Sequence, residues 1–290
     1  MPERIVPDYE VFVNDPIPLA DRLPTGETMM WSPIASTLIF GASDAVLVDP
    51  PFTREQTERV GDWVQRSGKR LTHIYITHGH GDHWFGAARL VERFPGATVY
   101  ATAGTIALMH ESTTQRKLFW DTVFPGQIGE TPVTAQPVPA AGFTLEGHRL
   151  HAVEVGHSDG DNSTVLHVPS IGLVVAGDVA YNGVHQYLAE GAGGGLEAWL
   201  RAVEHIRRLR PRAVVAGHKA RERADDPRVL DETADYLRTA LRLLSEKPSA
   251  QTFFDAMVAS FPDRLNPSAV WLSATRLLTD PLTNTQDIPH

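Results

Sequence analysis

The sequence contains no cysteine among its 290 residues. Disulfide bonds are therefore excluded, and so is every metal site that uses a thiolate ligand. A metal site in this chain has to be built from imidazole and carboxylate groups, which suit zinc but also iron, manganese and cobalt.

Basic residues are outnumbered: 26 Lys and Arg stand against 35 Asp and Glu, which gives a formal net charge of -9. Because phosphate binding needs basic side chains, we expect no nucleic-acid partner. Long apolar runs are also lacking, and a run such as 171–176 is far too short to cross a bilayer. The first residues do not resemble a signal peptide. These features favour a cytoplasmic protein with no membrane partner.

Apolar residues make up 42% of the chain and fall into short β-type runs with interleaved helical segments. This order, which occurs twice, predicts an α/β domain with helices packed outside its sheets. We expect the domain to span 31–225, with a helical insert at 103–125. Residues 1–30 are expected to form an irregular arm that packs on its own domain or mediates a homodimer, and 226–290 are expected to form helices packed on the same domain.

The most informative segment is Thr-His-Gly-His-Gly-Asp-His at residues 77–83, between a short apolar strand and a helix. It places His78, His80, Asp82 and His83 within six residues, and its two glycines permit a tight turn that lets these side chains converge. A loop at the end of a strand is a common place for chemistry. We interpret the segment as metal-binding, because a solvated histidine-rich loop does not explain this spacing.

Three further candidates each follow an apolar run and a glycine: His157, Asp178 and His218. Singly, each would more often be structural. Together with the first segment, the repeated pattern predicts that separate strands deliver ligands to one edge of the domain.

The His-x-His-x-Asp-His segment resembles the metallo-β-lactamase superfamily, and the likeness extends over roughly 31–220. It implies an αββα sandwich of two mixed sheets with metals at one edge. By this resemblance the first metal is bound by His78, His80 and His157, and the second by Asp82, His83 and His218. Asp178 bridges the two. The implied cofactors are two divalent ions, with Zn²⁺ first and Fe, Mn or Co as alternatives.

Two metals about 3.5–4 Å apart share a water and lower its pKa toward ~7. The expected reaction is attack of metal-bound hydroxide on the carbonyl of a small ester or lactone. Asp82 is expected to bind metal and to steer the water's proton toward the leaving group. Tyr181, three residues after Asp178, has the spacing of a substrate-contacting tyrosine in acyl-homoserine lactonases, and its phenol is a candidate oxyanion donor. A packing role for Tyr181 is equally compatible with the sequence.

The alternatives are a thioesterase of glyoxalase II type, then a β-lactam hydrolase, and a non-catalytic metal-binding scaffold. A glutathione thioester would need cations, which Lys219, Arg221 and Arg223 offer. The partner is expected to be a small molecule. The insert is expected to form a lid over the metals, joined by late aromatic residues, or else these side chains pack in the core. The residues concerned are Met109, Phe119, Trp120 and Phe124 of the insert and Phe253, Phe254, Phe261 and Trp271 of the C-terminal helices.

Overall fold

The structure is a computed structural model that describes residues 6–130 and 132–278. The strands, in chain order, are β1 (Asp8–Val13), β2 (Ile17–Arg22), β3 (Thr28–Trp31), β4 (Ala35–Phe40), β5 (Asp44–Val48), β6 (Arg70–Tyr75), β7 (Thr98–Ala101), β8 (Gln136–Pro137), β9 (Phe143–Leu145), β10 (His148–Gly156), β11 (Ser163–Val168), β12 (Leu173–Asn182) and β13 (Ala213–Lys219). The α-helices are α1 (Arg54–Arg66), α2 (Ala87–Arg93), α3 (Ala103–Gln115), α4 (Trp120–Val123), α5 (Gly195–Arg208), α6 (Val229–Ser245), α7 (Ala250–Ser260) and α8 (Ser268–Leu278).

The first sheet has the strand order β1-β4-β5-β6-β7-β8. Its first two pairings are antiparallel, and β5 to β8 are parallel, with α1 and α2 as crossovers. Helix α1 begins where the side chain of Thr53 accepts a hydrogen bond from the backbone N–H of Gln56. The helix ends at Ser67, before Gly68, whose φ of 67° suits glycine. The buried strand β6 therefore runs straight into the histidine-rich loop.

The second sheet has the order β13-β12-β11-β10-β9. Its pairs are antiparallel except β12 with β13, which are parallel and are joined through α5. All ten residues of β12 are buried, as expected of a strand covered on both faces.

Three apolar clusters define the layers. The central cluster joins Val46 and Val48 of the first sheet to Leu166 and Val175 of the second, so the two sheets pack face to face. A second cluster lies between the first sheet and α1 and α2, and a third lies between the second sheet and α5 and α6. The resulting order is helix, sheet, sheet, helix, and the predicted αββα sandwich is confirmed.

The expected irregular arm at 1–30 is largely strand in the described residues. Strand β1 pairs with β4 at the edge of the first sheet, and β2 pairs with β3 as a separate ribbon. Leu23 and Met29 are buried in the core beneath the second sheet. Frequent prolines made this segment read as irregular, whereas its backbone is satisfied by pairing with β4, which lies about 25 residues further on.

The C-terminal helices lie close to the predicted positions. Helix α6 packs against β12, and α8 contacts β3. Within the described chain, none of the helices is long and apolar enough to span a membrane.

Candidate metal centre

Four segments bring the candidate ligands together at one edge of the two sheets. The loop after β6, with a single 3-10 turn at Gly81–His83, carries the histidine-rich segment. Strands β12 and β13 contribute Asp178 and His218, and the loop after β10 contributes Asp159.

Two glycines in these strands allow the close approach. A Cβ on Gly177 would lie 2.4 Å from Oγ1 of Thr77, and a Cβ on Gly217 would lie 2.1 Å from Oδ1 of Asp178. A larger residue at 177 would collide with the loop, and one at 217 would collide with the Asp178 side chain of the neighbouring strand. The glycine that precedes each of these two ligands is therefore required by contact with the site itself.

One group of ligand atoms comes from Asp82, His83 and His218, which lie within 4.8 Å of one another. Asp178 faces the same group: its Oδ1 is 3.3 Å from Nε2 of His83, and its Oδ2 is 3.1 Å from Nε2 of His218. The Nε2 atoms of the two histidines are 3.4 Å apart. Ligands bonded to one zinc ion at about 2.0–2.2 Å are roughly 3.3–3.6 Å from each other, so this spacing fits a shared cation.

A second group consists of His78, His80, Asp159 and Asp178, again within 4.8 Å of one another. Nδ1 of His80 is 3.1 Å from Oδ2 of Asp159, and Nε2 of His78 is 3.9 Å from Oδ2 of Asp178. Asp178 belongs to both groups, which is the position expected of a bridging carboxylate.

His157 is not brought into either group. Its Nδ1–H donates to Oδ1 of Asp161 at 2.7 Å, and its Nε2 lies against the first residue of α5, where a Cβ on Gly195 would be 2.8 Å away. The other six ligands predicted from the sequence are all present in the two groups.

The hydrogen bonds of two histidines, His78 and His218, fix which ring nitrogen is free for a cation. Because the hydroxyl of Thr77 donates to Asp49, Nδ1–H of His78 must donate to that hydroxyl at 2.9 Å, which leaves a lone pair on Nε2. Nδ1–H of His218 donates to the carbonyl of Pro33 at 3.0 Å, which again leaves Nε2 free. Metal-binding histidines are typically oriented in this way. His80 differs from these two, because both of its ring nitrogens contact carboxylates: Nε2 lies 3.1 Å from Glu190 and Nδ1 lies 3.1 Å from Asp159.

Several buried polar atoms of the site have no hydrogen-bond partner in the protein. They include Nε2 of His78 and Oδ1 of Asp178. An unpaired buried polar atom is costly, and imidazole and carboxylate are ligands for divalent cations. The donor set therefore fits two such ions.

Burial and the neighbouring charges shift the pKa values of several ligands, and a bound cation would have to displace the protons that result. Burial and the neighbouring Asp178 raise the pKa of Asp159 to about 7, against the opposing effect of His80. Burial lowers the pKa of His83, but Asp178 and Asp82 outweigh this and raise it to about 10. For Asp178, burial raises the pKa, and the neighbouring His218 and His83 overcome it and hold the pKa well below its usual value. Without a cation, the protonated ring of His83 balances part of the negative charge of the neighbouring Asp178.

Asp49, the residue that follows β5, lies behind the site. Its Oδ1 accepts from the backbone N–H of Thr77 at 2.8 Å, and its Oδ2 is 3.8 Å from Nδ1 of His83. Burial raises the pKa of Asp49 to about 6, although His83 opposes the shift. Asp49 therefore holds the start of the ligand loop.

Tyr181 and Trp31 contact two of the ligand carboxylates. The hydroxyl of Tyr181 donates to Oδ2 of Asp178 at 3.0 Å, and its ring stacks on His218 with centroids 5.3 Å apart. Burial and Asp178 raise the pKa of this phenol, so it keeps its proton. The indole N–H of Trp31 donates to Oδ2 of Asp82 at 2.9 Å.

A cavity of about 350 Å³ opens onto both groups of ligands. Its floor includes His80, Asp82, Asp159, Asp178 and His218, with Tyr181 beside them. The rest of the wall comes from the β3 segment, the insert, the loop after β12, and α8; it consists of Met30, Trp31, Ser32, Ser112, Phe119, Trp120, Tyr187, Glu190, Asn266, Ala269, Leu272, Thr275 and Arg276.

Comparison with known proteins agrees with this geometry. The model of the metallo-beta-lactamase superfamily matches residues 29–218. The chain belongs to this superfamily. A metallo-beta-lactamase family protein from Thermus thermophilus has the same fold, with a TM-score of 0.60 at 19% identity over 92% of each chain. A metallo-beta-lactamase from Pontibacter korlensis gives 0.57 at 19% identity, over 79% of this chain and 99% of the other.

Curated relatives of this superfamily match only locally. Hydroxyacylglutathione hydrolase 1 from Vibrio vulnificus is 31% identical over 67 residues, which is 23% of this chain and 26% of that protein. A UPF0173 metal-dependent hydrolase from Methylobacterium nodulans is 52% identical over 50 residues, or 17% and 21% of the two chains. The alignments thus span about a quarter or less of these relatives. Together with the family match, they support a metal-binding hydrolase.

Only part of the insert, which was expected to form a lid over the metals, faces the cavity. Phe119 and Trp120 line the cavity, whereas Met109 and Phe124 are buried in the core. The late aromatics predicted to join the lid do not line the cavity; Phe253 and Phe254 are buried core residues. Helix α8 reaches the cavity instead, through one face that carries smaller and polar side chains.

Sequence reasoning missed Asp159, Glu190 and Trp31. The loop at 157–161 contains one histidine and two aspartates, so an acidic ligand was available there in the sequence. Glu190 and Trp31 lie 110 and 51 residues from the side chains that they contact, and no local pattern indicates such pairs.

Proposed function

We propose that this protein is a dinuclear metal-dependent hydrolase of small neutral or apolar esters or lactones. The observation that carries the proposal is the cavity whose floor is the ligand cluster and whose wall is rich in aromatic and aliphatic side chains. Two divalent cations, with zinc as the first choice, would lower the pKa of a coordinated water and polarise a carbonyl oxygen.

The chain's own residues supply orientation and proton transfer. Asp178 faces both cation positions, and Asp82 lies at the cavity floor, where its carboxylate accepts a proton and passes it toward the leaving group. Tyr181 keeps its hydroxyl protonated and donates a hydrogen bond to Asp178, so it would have to exchange that hydrogen bond for one to a developing oxyanion.

The wall of the cavity suits an acyl or aromatic group. Trp31, Phe119, Trp120 and Leu272 form its apolar part, which would exclude water around the scissile bond. Arg276 lines the same cavity and provides a polar contact for orienting the substrate.

A thioester is the second candidate, favoured by the local likeness to hydroxyacylglutathione hydrolases. The cations that the sequence offered for glutathione carboxylates are engaged elsewhere. Lys219 pairs with Asp225, Arg221 with Asp15 and Arg223 with Glu232, and none of these cations is among the residues lining the cavity. Arg276 does line the cavity, so the preference for an ester or lactone rests on the largely apolar wall and not on a lack of cations.

The test is a parallel hydrolysis screen of lactones, aryl esters, acylglutathiones, β-lactams and phosphodiesters with the Zn²⁺ or Mn²⁺ form. We expect the highest kcat/KM for lactones or esters that carry an apolar group. Preferential turnover of acylglutathione or β-lactam would overturn the assigned substrate class. Metal-dependent stability without turnover of any substrate class would indicate a binding scaffold.

A further inference from the structure

The loop after β10 offers two residues, His157 and Asp159, for the cation position next to His78 and His80. We propose that Asp159, and not His157, completes this position together with His78, His80 and Asp178. The inference rests on the proposed function and deepens it, because it assigns the first cation to two imidazoles and two carboxylates.

Asp159 is buried at the centre of the site. Its side chain is 1% exposed, and its Oδ2 lies 3.1 Å from Nδ1 of His80. The same residue lies within ligand distance of Asp178, which places two carboxyl groups side by side in the interior. Burying such a pair is unfavourable unless a cation or protons neutralise it. Nε2 of His78, which has no partner in the protein, faces the same position.

The loop holds Asp159 so that one oxygen points to the site. The hydroxyl of Ser158 donates to Oδ1 of Asp159 at 3.2 Å, which leaves Oδ2 toward His80. Ser158 is itself fixed by its backbone N–H, which donates to the carbonyl of Gly160, and by a 2.7 Å contact between its hydroxyl and that of Ser163. Both serines are almost fully buried. This is the pre-organisation expected of a ligand rather than of a solvated loop residue.

His80 is turned to meet Asp159. Its Nε2 lies 3.1 Å from Glu190, and its Nδ1 lies 3.1 Å from Oδ2 of Asp159, so a cation bound between Nδ1 and Asp159 would take the place of a proton. Gly160 lets the chain pass over this ring, since a Cβ there would lie 3.3 Å from Nε2. The ring thus lies between two carboxylates, one that orients it and one that shares its cation.

His157 is held away from this position. Its Nδ1–H donates to Asp161, whose side chain is 75% exposed, and its Nε2 lies beside Gly195 at the start of α5. Nε2 of His157 is buried without a hydrogen-bond partner in the protein, but it lies outside the group of ligand atoms formed by His78, His80, Asp159 and Asp178. We assign it a packing contact with α5.

The exchange of an imidazole for a carboxylate changes the preferred ion. Carboxylate ligands suit Mn²⁺ and Fe²⁺ better than a set of three imidazoles does. The first position is therefore expected to bind Mn²⁺ more tightly, relative to Zn²⁺, than a three-histidine site would.

The test compares Asp159→Asn with the matched variant His157→Phe, which keeps a ring but removes both nitrogens. Mn²⁺ bound to metal-free protein is counted by loss of the free-ion electron paramagnetic resonance signal, and bound Zn²⁺ by equilibrium dialysis. We expect two cations per chain for the unaltered protein and for His157→Phe. We expect one cation per chain for Asp159→Asn, with metal affinity at the first position weakened by more than about 100-fold. Losing a residue that only hydrogen-bonds a ligand already costs about 10–100-fold, and losing a ligand itself should cost more.

The unfolding temperature of each metal-free variant serves as the folding control. Asp159→Asn removes a charge beside Asp178, so its metal-free form should be no less stable than the metal-free unaltered protein. The rise in its unfolding temperature on adding Mn²⁺ should be smaller. Asp159→Ser provides a second variant if the asparagine does not fold. The proposal is overturned if His157→Phe loses a cation, or if the Asp159 variants keep both. If the unaltered protein binds two cations but hydrolyses none of the screened substrates, the proposed function fails and this assignment stands.

Discussion

The indole N–H of Trp31 donates a 2.9 Å hydrogen bond to Oδ2 of Asp82, the same oxygen that lies 3.7 Å from Nε2 of His218. A side chain of the cavity wall is therefore bonded directly to a candidate cation ligand. The contact restricts the orientation of Asp82, because that oxygen cannot turn away without breaking a hydrogen bond to a charged group.

The first prediction concerns this contact. Trp31→Phe removes the indole N–H and keeps an aromatic ring beside Phe52 and Phe124. A hydrogen bond to a charged group contributes about 1.5–3 kcal/mol, so we expect kcat to fall by roughly 10-fold or more with two cations retained. Trp120→Phe, which replaces another indole of the same wall by a phenyl ring, serves as the control. Equal kcat values for Trp31→Phe and the unaltered protein would contradict the role given to Trp31.

The second prediction separates catalysis from packing at Tyr181. Tyr181→Phe removes the hydroxyl that donates to Asp178 and keeps the ring stacked on His218. If the hydroxyl stabilises an oxyanion, kcat should fall by about 100-fold, as for other oxyanion donors, with little change in KM. Steady-state kinetics and the unfolding temperature are measured together. A lower unfolding temperature with unchanged kcat would assign Tyr181 to packing alone.

The third prediction is that chelation destabilises the protein and reconstitution restores it. Removing cations leaves the buried carboxylates of Asp82 and Asp178 close to each other without an ion between them. We expect the unfolding temperature and turnover to fall together and to return with Zn²⁺ or Mn²⁺. Asp178→Asn should lose the response to added metal at both positions. Stability that is indifferent to chelator and metal would refute the metal centre.

The fourth prediction addresses the cavity wall. Leu272→Trp adds bulk on the face of α8 that lines the cavity. Substrates with long acyl groups should lose more kcat/KM than short ones, by about 10-fold, since one methylene in a pocket is worth roughly 1–3 kcal/mol. Leu118→Trp is the control, because Leu118 is 65% exposed. An equal loss for short and long substrates would remove Leu272 from the substrate site.

The fifth prediction concerns acid stability away from the ligands. Burial and the nearby Arg264 lower the pKa of His185 to about 3, and its Nδ1 shares a 3.0 Å hydrogen bond with Tyr236. Because the unfolded histidine titrates near 6.5, this stabilisation is complete above pH 6.5 and is lost as the pH falls from 6.5 toward 3. His185 alone should cost about 2 kcal/mol at pH 5.

His185→Asn should therefore flatten the fall in the free energy of unfolding between pH 6.5 and 5, as measured by urea denaturation. His205→Asn, on the exposed side of α5, is the matched control. Parallel pH curves for His185→Asn and the unaltered protein would show that His185 does not carry the effect.

The sequence was sufficient for the layer order and for most of the ligand cluster, because these depend on local features. Apolar runs of strand length followed by glycine place Asp178 and His218 where parallel strands bring them together. Contacts as close as that between Gly217 and Asp178 require glycine, so a glycine directly before each of these ligands can be recognised in the sequence.

The remaining features depend on distant contacts. Which side chain of the loop at 157–161 turns inward is decided by the bonds of Ser158 and Ser163 and by the packing of His157 on α5. Strand β1 was missed because its hydrogen bonds go to β4, and the alternation of its short sequence is weak. Neither relationship has a periodicity that can be read from one chain.

Asp178 and His218 belong to the parallel pair β12 and β13, whereas the histidine-rich loop follows β6. During synthesis, the histidines at 78–83 leave the ribosome early. Their partner ligand His218 follows only about three quarters of the way along the chain. The complete set of ligands at both cation positions can therefore form only after His218 has been synthesised, although His78, His80, Asp82 and His83 are present much earlier.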